Sequence, residues 1–142
     1  MRAPSDILIA DDEEQIRELL AEVLIDAGYR VRVAYDGGSA LAAVQEHTPA
    51  LILLDNMMPG ISGREVMRLL RAQGFKRLPI IMMSAGTSRE SLMRAGATDF
   101  LPKPFFLEDV LDCIASNLAR TLPNDGRDTV KQRANTRSTE RI

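Results

Sequence analysis

The 142-residue chain is 45% hydrophobic and 27% charged, the makeup of one ordinary globular domain. Its formal charge of -2 gives no overall electrostatic case for direct nucleic-acid binding. No stretch approaches the roughly 18 apolar residues of a membrane span, and Met1 to Asp6 is too short and polar for a signal peptide, so a soluble cytoplasmic protein is the expectation.

Ile7-Leu8-Ile9-Ala10 reads as a short buried strand running directly into Asp11-Asp12-Glu13-Glu14. From Glu13 the spacing turns helical, with Ile16, Leu19, Leu20, Val23, Leu24 and Ala27 on one apolar stripe and Gly28 as the stop. Tyr29 to Ala34 is a second strand, whose Arg30 and Arg32 alternate with Val31 and Val33 as an edge strand would. Asp36-Gly37-Gly38 turns the chain into a helix through Ala40, Leu41 and Val44, ending near His47-Thr48-Pro49. His47 is the only histidine and lies in a polar connection, which argues against a histidine triad or zinc site.

Leu51-Ile52-Leu53-Leu54 has no polar alternation and predicts a strand buried on both faces, ending at Asp55. A carboxylate there lies in the crevice outside the carboxyl edge of the sheet, the usual ligand position of open α/β folds. Met57-Met58-Pro59-Gly60 then turns the chain away. Ser62 is placed to cap a helix with Val66, Leu69 and Leu70 inward and Arg64, Arg68 and Arg71 outward on a solvated face.

Pro79 to Met83 is a fourth strand ending at Ser84-Ala85-Gly86, and Thr87 to Arg94 holds little more than two turns of helix. Ala97 to Leu101 is a fifth strand, followed by Lys103-Pro104. A last helix carries Leu107, Val110, Leu111, Ile114 and Leu118 on one face, with Pro123 at its end. Cys113, the only cysteine, falls within this helical pattern and is expected to be packed; no internal disulfide or cysteine metal cluster is possible. Residues 1–123 thus form the domain. From Asn124 to Ile142 the apolar pattern is lost, and five basic against three acidic residues suggest a disordered tail or the start of a linker.

Five alternations of strand and helix imply an α/β fold, a doubly wound five-stranded parallel sheet with helices on both faces and right-handed crossovers. Asp11, Asp12, Asp55, Ser84 and Lys103 all follow strand ends and converge on one edge. Carboxylates about 5 Å apart repel by roughly 3 kcal/mol per pair at an effective dielectric near 20. A divalent cation removes that conflict, and hard oxygen ligands without histidine or thiol favour Mg²⁺. Lys103 would add positive charge on the opposite side, and Ser84 a hydroxyl donor. A carboxylate flanked by a metal, an ammonium and a hydroxyl is suited to accept a phosphoryl group.

These residues resemble the receiver domain of bacterial two-component response regulators over Ile7 to about Leu122. The motifs are Asp11-Asp12, D-x-x-M-P-G-x-x-G from Asp55 to Gly63, Ser84-Ala85, G-A-x-D-F from Gly96 to Phe100, and K-P-F from Lys103 to Phe105. The resemblance implies a flavodoxin-like sheet of order 2-1-3-4-5 and phosphorylation of Asp55 by a histidine kinase or histidine phosphotransfer protein. It further implies Mg²⁺ held by Asp12, Asp55 and the Met57 carbonyl, with Asp11 acting through a water, Lys103 on the phosphoryl group and a cis bond before Pro104. Ser84 and Phe100 would form the switch, the ring turning inward as Ser84 moves to the phosphoryl oxygen. Phe100 has no hydroxyl where many relatives carry tyrosine, and Ser84 lacks the methyl of the commoner threonine.

Between Ser84 and Lys103 the chain is about one helical turn shorter than such domains usually are, which predicts a short, mobile fourth helix and a nonstandard partner surface. A phosphatase with an aspartyl nucleophile would need a second Asp where Met57 stands. An FMN site would need hydroxyls and free amides where Asp11 to Glu14 repel phosphate. The alternative is a pseudo-receiver, a protein-interaction module that works without phosphorylation; such domains normally lose an acidic or lysine position, and all are present here. Output would go to a downstream protein target, or to an output domain not visible in these residues, with a phosphorylation-dependent homodimer as a further possibility.

Overall fold

The computed structural model describes residues 5–121. Its strands are β1 (Asp6–Ala10), β2 (Arg30–Ala34), β3 (Leu51–Asp55), β4 (Ile80–Ser84) and β5 (Asp99–Pro102), all parallel, in the order β2-β1-β3-β4-β5. Between and after them run α1 (Glu14–Asp26), α2 (Gly37–Glu46), α3 (Gly63–Ala72), α4 (Arg89–Ala95) and α5 (Leu107–Thr121). The predicted doubly wound sheet of order 2-1-3-4-5 is the one observed.

The uninterrupted apolar runs of β1, β3 and β4 become clear once both sheet faces are covered. Leu8, Ile52, Leu54, Ile80 and Met82 point to one side, against Ala40 and Val44 of α2, Val66, Met67 and Leu70 of α3, and Leu92 of α4. Ile7, Ile9, Leu51, Leu53, Ile81 and Met83 point to the other, against Leu20 and Leu24 of α1 and Val110, Cys113 and Ile114 of α5. β2 is an edge strand, and its Val33 remains half exposed. The stripe of α1 ends sooner than its spacing suggests, because Ala27 is the exposed C-cap.

Strand register lines up the ends that matter. Ala10 lies opposite Leu54, Asp55 opposite Met83, and Ser84 opposite Pro102. Backbone bonds carry the alignment one residue further, from Asn56 N–H to the Met83 carbonyl at 2.9 Å and from Lys103 N–H to the Ser84 carbonyl at 2.9 Å.

Three local expectations need correction. The fifth strand begins at Asp99, because Gly96 takes a positive φ and the Ala97 N–H closes back on the Leu92 carbonyl as part of the α4 C-cap. Arg71 does not face solvent with Arg64 and Arg68. Its guanidinium folds over the end of α3 and donates to the carbonyls of Phe75 at 2.6 Å, Leu78 at 2.7 Å and Gly96 at 2.9 Å, and to Thr98 Oγ1 at 3.2 Å. A long stem lets an arginine satisfy carbonyls that a helix end and two neighbouring loops leave open. Phe100 is already inward, packed in the cluster that holds Met82 and Leu92, rather than poised outside it. The fourth helix is short as expected, at 7 residues. The domain end at Pro123 and the polar tail of residues 124–142 lie outside the described residues.

Candidate functional site

Asp11, Asp12 and Asp55 meet at the carboxyl edge of the sheet, with one carboxylate oxygen from each lying within 4.8 Å of the others. Asp11 is fully buried and Asp55 is 3% exposed, whereas Asp12 faces solvent. Asp11 is fixed by the Glu13 N–H, which donates to Oδ1 at 2.9 Å. Asp55 accepts the Met57 N–H on its Oδ1 at 3.2 Å, so the turn after β3 orients the side chain that β3 delivers. Gly63 makes that turn possible, because a Cβ there would collide with the Asp55 carbonyl oxygen.

Lys103 reaches into this group instead of standing opposite it. Its Nζ lies 2.9 Å from Asp11 Oδ2, 3.5 Å from Asp55 Oδ1 and 3.8 Å from Glu13 Oε1. The ammonium therefore offsets part of the carboxylate repulsion before any cation binds. The electrostatics reflect both pressures. Burial first, then the charge of Asp11, push the Asp55 carboxyl up to about 6, against the pull of Lys103 and the Met57 N–H. Burial pulls Lys103 down, but the hydrogen bond and charge of Asp11 and the charges of Asp55 and Glu13 outweigh it, leaving the ammonium above its usual value. The Lys103-Pro104 peptide is cis.

The donor set fits a hard divalent cation, with three carboxylates, no histidine and no thiol among them. Met57 is 68% exposed at the mouth of the site. Ser84 is buried beside this edge at the end of β4, and its Oγ accepts the Thr87 N–H at 3.3 Å. Of the residues singled out from sequence, Asp11, Asp12, Asp55 and Lys103 are thus drawn into one cluster. Ser84 stands at the adjacent strand end with its hydroxyl turned to the β4–α4 loop. Phe100 belongs to the core, packed in the cluster that holds Met82 of β4 and Leu92 of α4.

Two buried polar groups were given no role by the sequence pattern, although Asp99 stands in the G-A-x-D-F motif. Asn56 is buried directly after Asp55, and its amide joins two loops: Oδ1 accepts the Arg64 N–H at 3.0 Å, and Nδ2 donates to Thr87 Oγ1 at 3.0 Å. Asp99 is buried at the start of β5, where Oδ2 accepts Asn117 Nδ2 at 3.0 Å and the Cys113 thiol at 3.3 Å. An amide or acid interrupting an apolar run is the one signal that could have marked them, since a buried polar group needs a partner.

The family described as the response regulator receiver domain matches residues 7–115. The chain belongs to that family, a component of two-component signal transduction and not a classical enzyme family. The response regulator MprA of Mycolicibacterium vanbaalenii is 43% identical over 126 residues, covering 87% of this chain and 54% of the relative. MprA of Mycobacterium bovis (strain BCG / Pasteur 1173P2) is 41% identical over 130 residues, covering 89% and 56%. Among solved structures, the receiver domain of the Francisella response regulator 1452 superposes with a TM-score of 0.80 at 28% identity, covering 83% of this chain and 99% of that one. The receiver domain of NtrX from Brucella abortus gives 0.73 at 37% identity, covering 82% and 100%. The chain spans about half the length of the curated relatives it matches.

Proposed function

We propose that this receiver domain is a phospho-acceptor, in which Asp55 takes a phosphoryl group from a histidine kinase or histidine phosphotransfer protein in a Mg²⁺-dependent reaction in the cytoplasm. The observation that carries this reading is the meeting of Asp11, Asp12 and Asp55 within 4.8 Å, with the Lys103 ammonium 3.5 Å from Asp55. Asp12, Asp55 and the Met57 carbonyl would hold the cation, and Asp11 would act through a water. Mg²⁺ bound there would neutralise charge on the phosphoryl oxygens.

The ionised Asp55 oxygen attacks phosphorus. A P–O bond forms as the P–N bond to the donor imidazole breaks, and the electron pair leaves with the donor. Lys103 balances the charge of the transferred group, and Ser84 donates its hydroxyl hydrogen to a phosphoryl oxygen. The domain catalyses only its own phosphorylation and dephosphorylation. The signal leaves by the face of β4, α4 and β5 toward a downstream protein target or an output domain.

Incubation with a small phosphodonor and Mg²⁺ is expected to add one phosphate to the wild-type chain and none to Asp55→Asn, read by intact mass. An unmodified wild type overturns the reading and leaves the phosphorylation-independent interaction module in its place; equal labelling of both overturns Asp55 as the acceptor.

A further inference from the structure

Asn56 uses both ends of its side chain, and each end holds a different loop of the site. Two N–H donors of the first turn of α3, from Gly63 and Arg64, are satisfied by the Asn56 backbone carbonyl at 2.9 Å and by its Oδ1 at 3.0 Å. The amide is thereby fixed with its NH₂ directed across to the β4–α4 loop, where it donates to Thr87 Oγ1 at 3.0 Å. Thr87 in turn uses its own N–H to hold Ser84 Oγ at 3.3 Å. A continuous set of hydrogen bonds runs from the residue beside the phospho-acceptor to the hydroxyl that must serve it.

We infer that Asn56 is a positioning residue for phosphoryl acceptance: through Thr87 it tethers the β4–α4 loop and holds the Ser84 hydroxyl in its resting place, which limits how readily the pocket takes up the phosphoryl group. The inference rests on the phospho-acceptor reading of Asp55. A hydroxyl that swings toward a group on Asp55 must either stretch its contact with the Thr87 N–H or carry the loop along. Carrying the loop breaks the bond to Asn56, whose amide is anchored in α3 and cannot follow. Asn56 is 8% exposed, so its freed NH₂ finds little water in compensation.

Thr87 is the place to test this, because it lies half-buried in a loop and its substitution leaves the α3 bonds of Asn56 intact. Thr87→Val keeps the shape and the N–H but removes the acceptor. Phosphorylation by a small phosphodonor with Mg²⁺, followed by intact mass, is expected to run roughly two- to tenfold faster than wild type, the range spanned by one neutral hydrogen bond. Thr87→Ser, which restores a hydroxyl, returns the wild-type rate. In a Ser84→Ala background Thr87→Val changes nothing, since no hydroxyl is left to hold. Should Thr87→Val not fold, Thr87→Ala removes the same acceptor and carries the same expectation.

A Thr87→Val chain that melts at a lower temperature but is phosphorylated at the wild-type rate or slower overturns the inference, because the contact is then only structural. Equal acceleration with and without the Ser84 hydroxyl overturns it as well. Wild type that takes up no phosphate overturns the phospho-acceptor reading itself, a result distinct from labelling at equal rates.

Discussion

Asp55 occupies a buried position where ionisation is costly, and its environment decides how costly. Burial and the Asp11 charge lift its carboxyl from 3.8 to about 6 in the fold, while the unfolded chain keeps the ordinary value. The folded state therefore binds this proton more tightly. The resulting stabilisation is complete below pH 3.8 and is lost as the pH rises through about 6. Metal-free wild type should lose roughly 1–2 kcal/mol relative to Asp55→Asn across that window, solvent screening reducing the full effect of the shift, and the amide variant should be the more stable of the two at pH 8. Urea denaturation of both proteins from pH 3.5 to 8 measures the difference. Parallel curves would show that the carboxylate is not under this pressure. Gly63 belongs to the same scale: its missing side chain is what lets α3 begin against the Asp55 carbonyl.

Elements differ in how firmly they are held, and α4 is the least self-supporting helix of the five. It has 7 residues against 15 in α5, buries only Leu92 completely, and leans on α3 through Arg64 Nη1 to Ser91 Oγ at 2.8 Å and Arg71 Nη2 to the Gly96 carbonyl at 2.9 Å. A helix this short gains few internal hydrogen bonds after its costly first turn, so its order depends on those outside contacts. Amides of residues 89–95 are expected to exchange at least roughly tenfold faster than those of residues 108–117 in native-state hydrogen exchange. Equal protection would contradict a weakly held α4. α5 is better anchored, since Asn117 and Cys113 on its buried face bond Asp99 of β5. The sequence spacing predicted both helices but could not weigh them, because the weight comes from contacts with other elements.

At the scale of the whole domain, the carboxylate cluster links folding to the cation. Mg²⁺ binding to the folded state alone stabilises it by RT ln(1 + [L]/Kd), about 1.4 kcal/mol at ten times Kd, or roughly 4–6 °C in melting temperature for a domain of this size. Calorimetric scans with and without Mg²⁺ at pH 8 should show that rise in wild type and a much smaller one in Asp55→Asn. Protons compete for Asp55, so the rise should shrink below pH 6. An equal rise in both proteins would place the cation elsewhere.

Much of this domain is legible in its residues alone. Uninterrupted apolar runs of strand length, helical stripes spaced at about 3.6 residues and acids at strand ends are local patterns, and the apolar ones specify which side chains seek the interior whatever lies opposite. Alternation of strand and helix then restricts the topology, which is why Asp11, Asp55, Ser84 and Lys103 could be assigned to one edge. Their bonding was another matter. Lys103 contacts Asp11 across 92 positions of chain, Asn56 finds Thr87 across 31, and Arg71 turns inward to Gly96 across 25. A polar side chain has several rotamers of similar energy, and only neighbours brought up by the fold select among them. Burial was written in the order of the residues, while the partners of each buried polar atom were decided by packing in three dimensions.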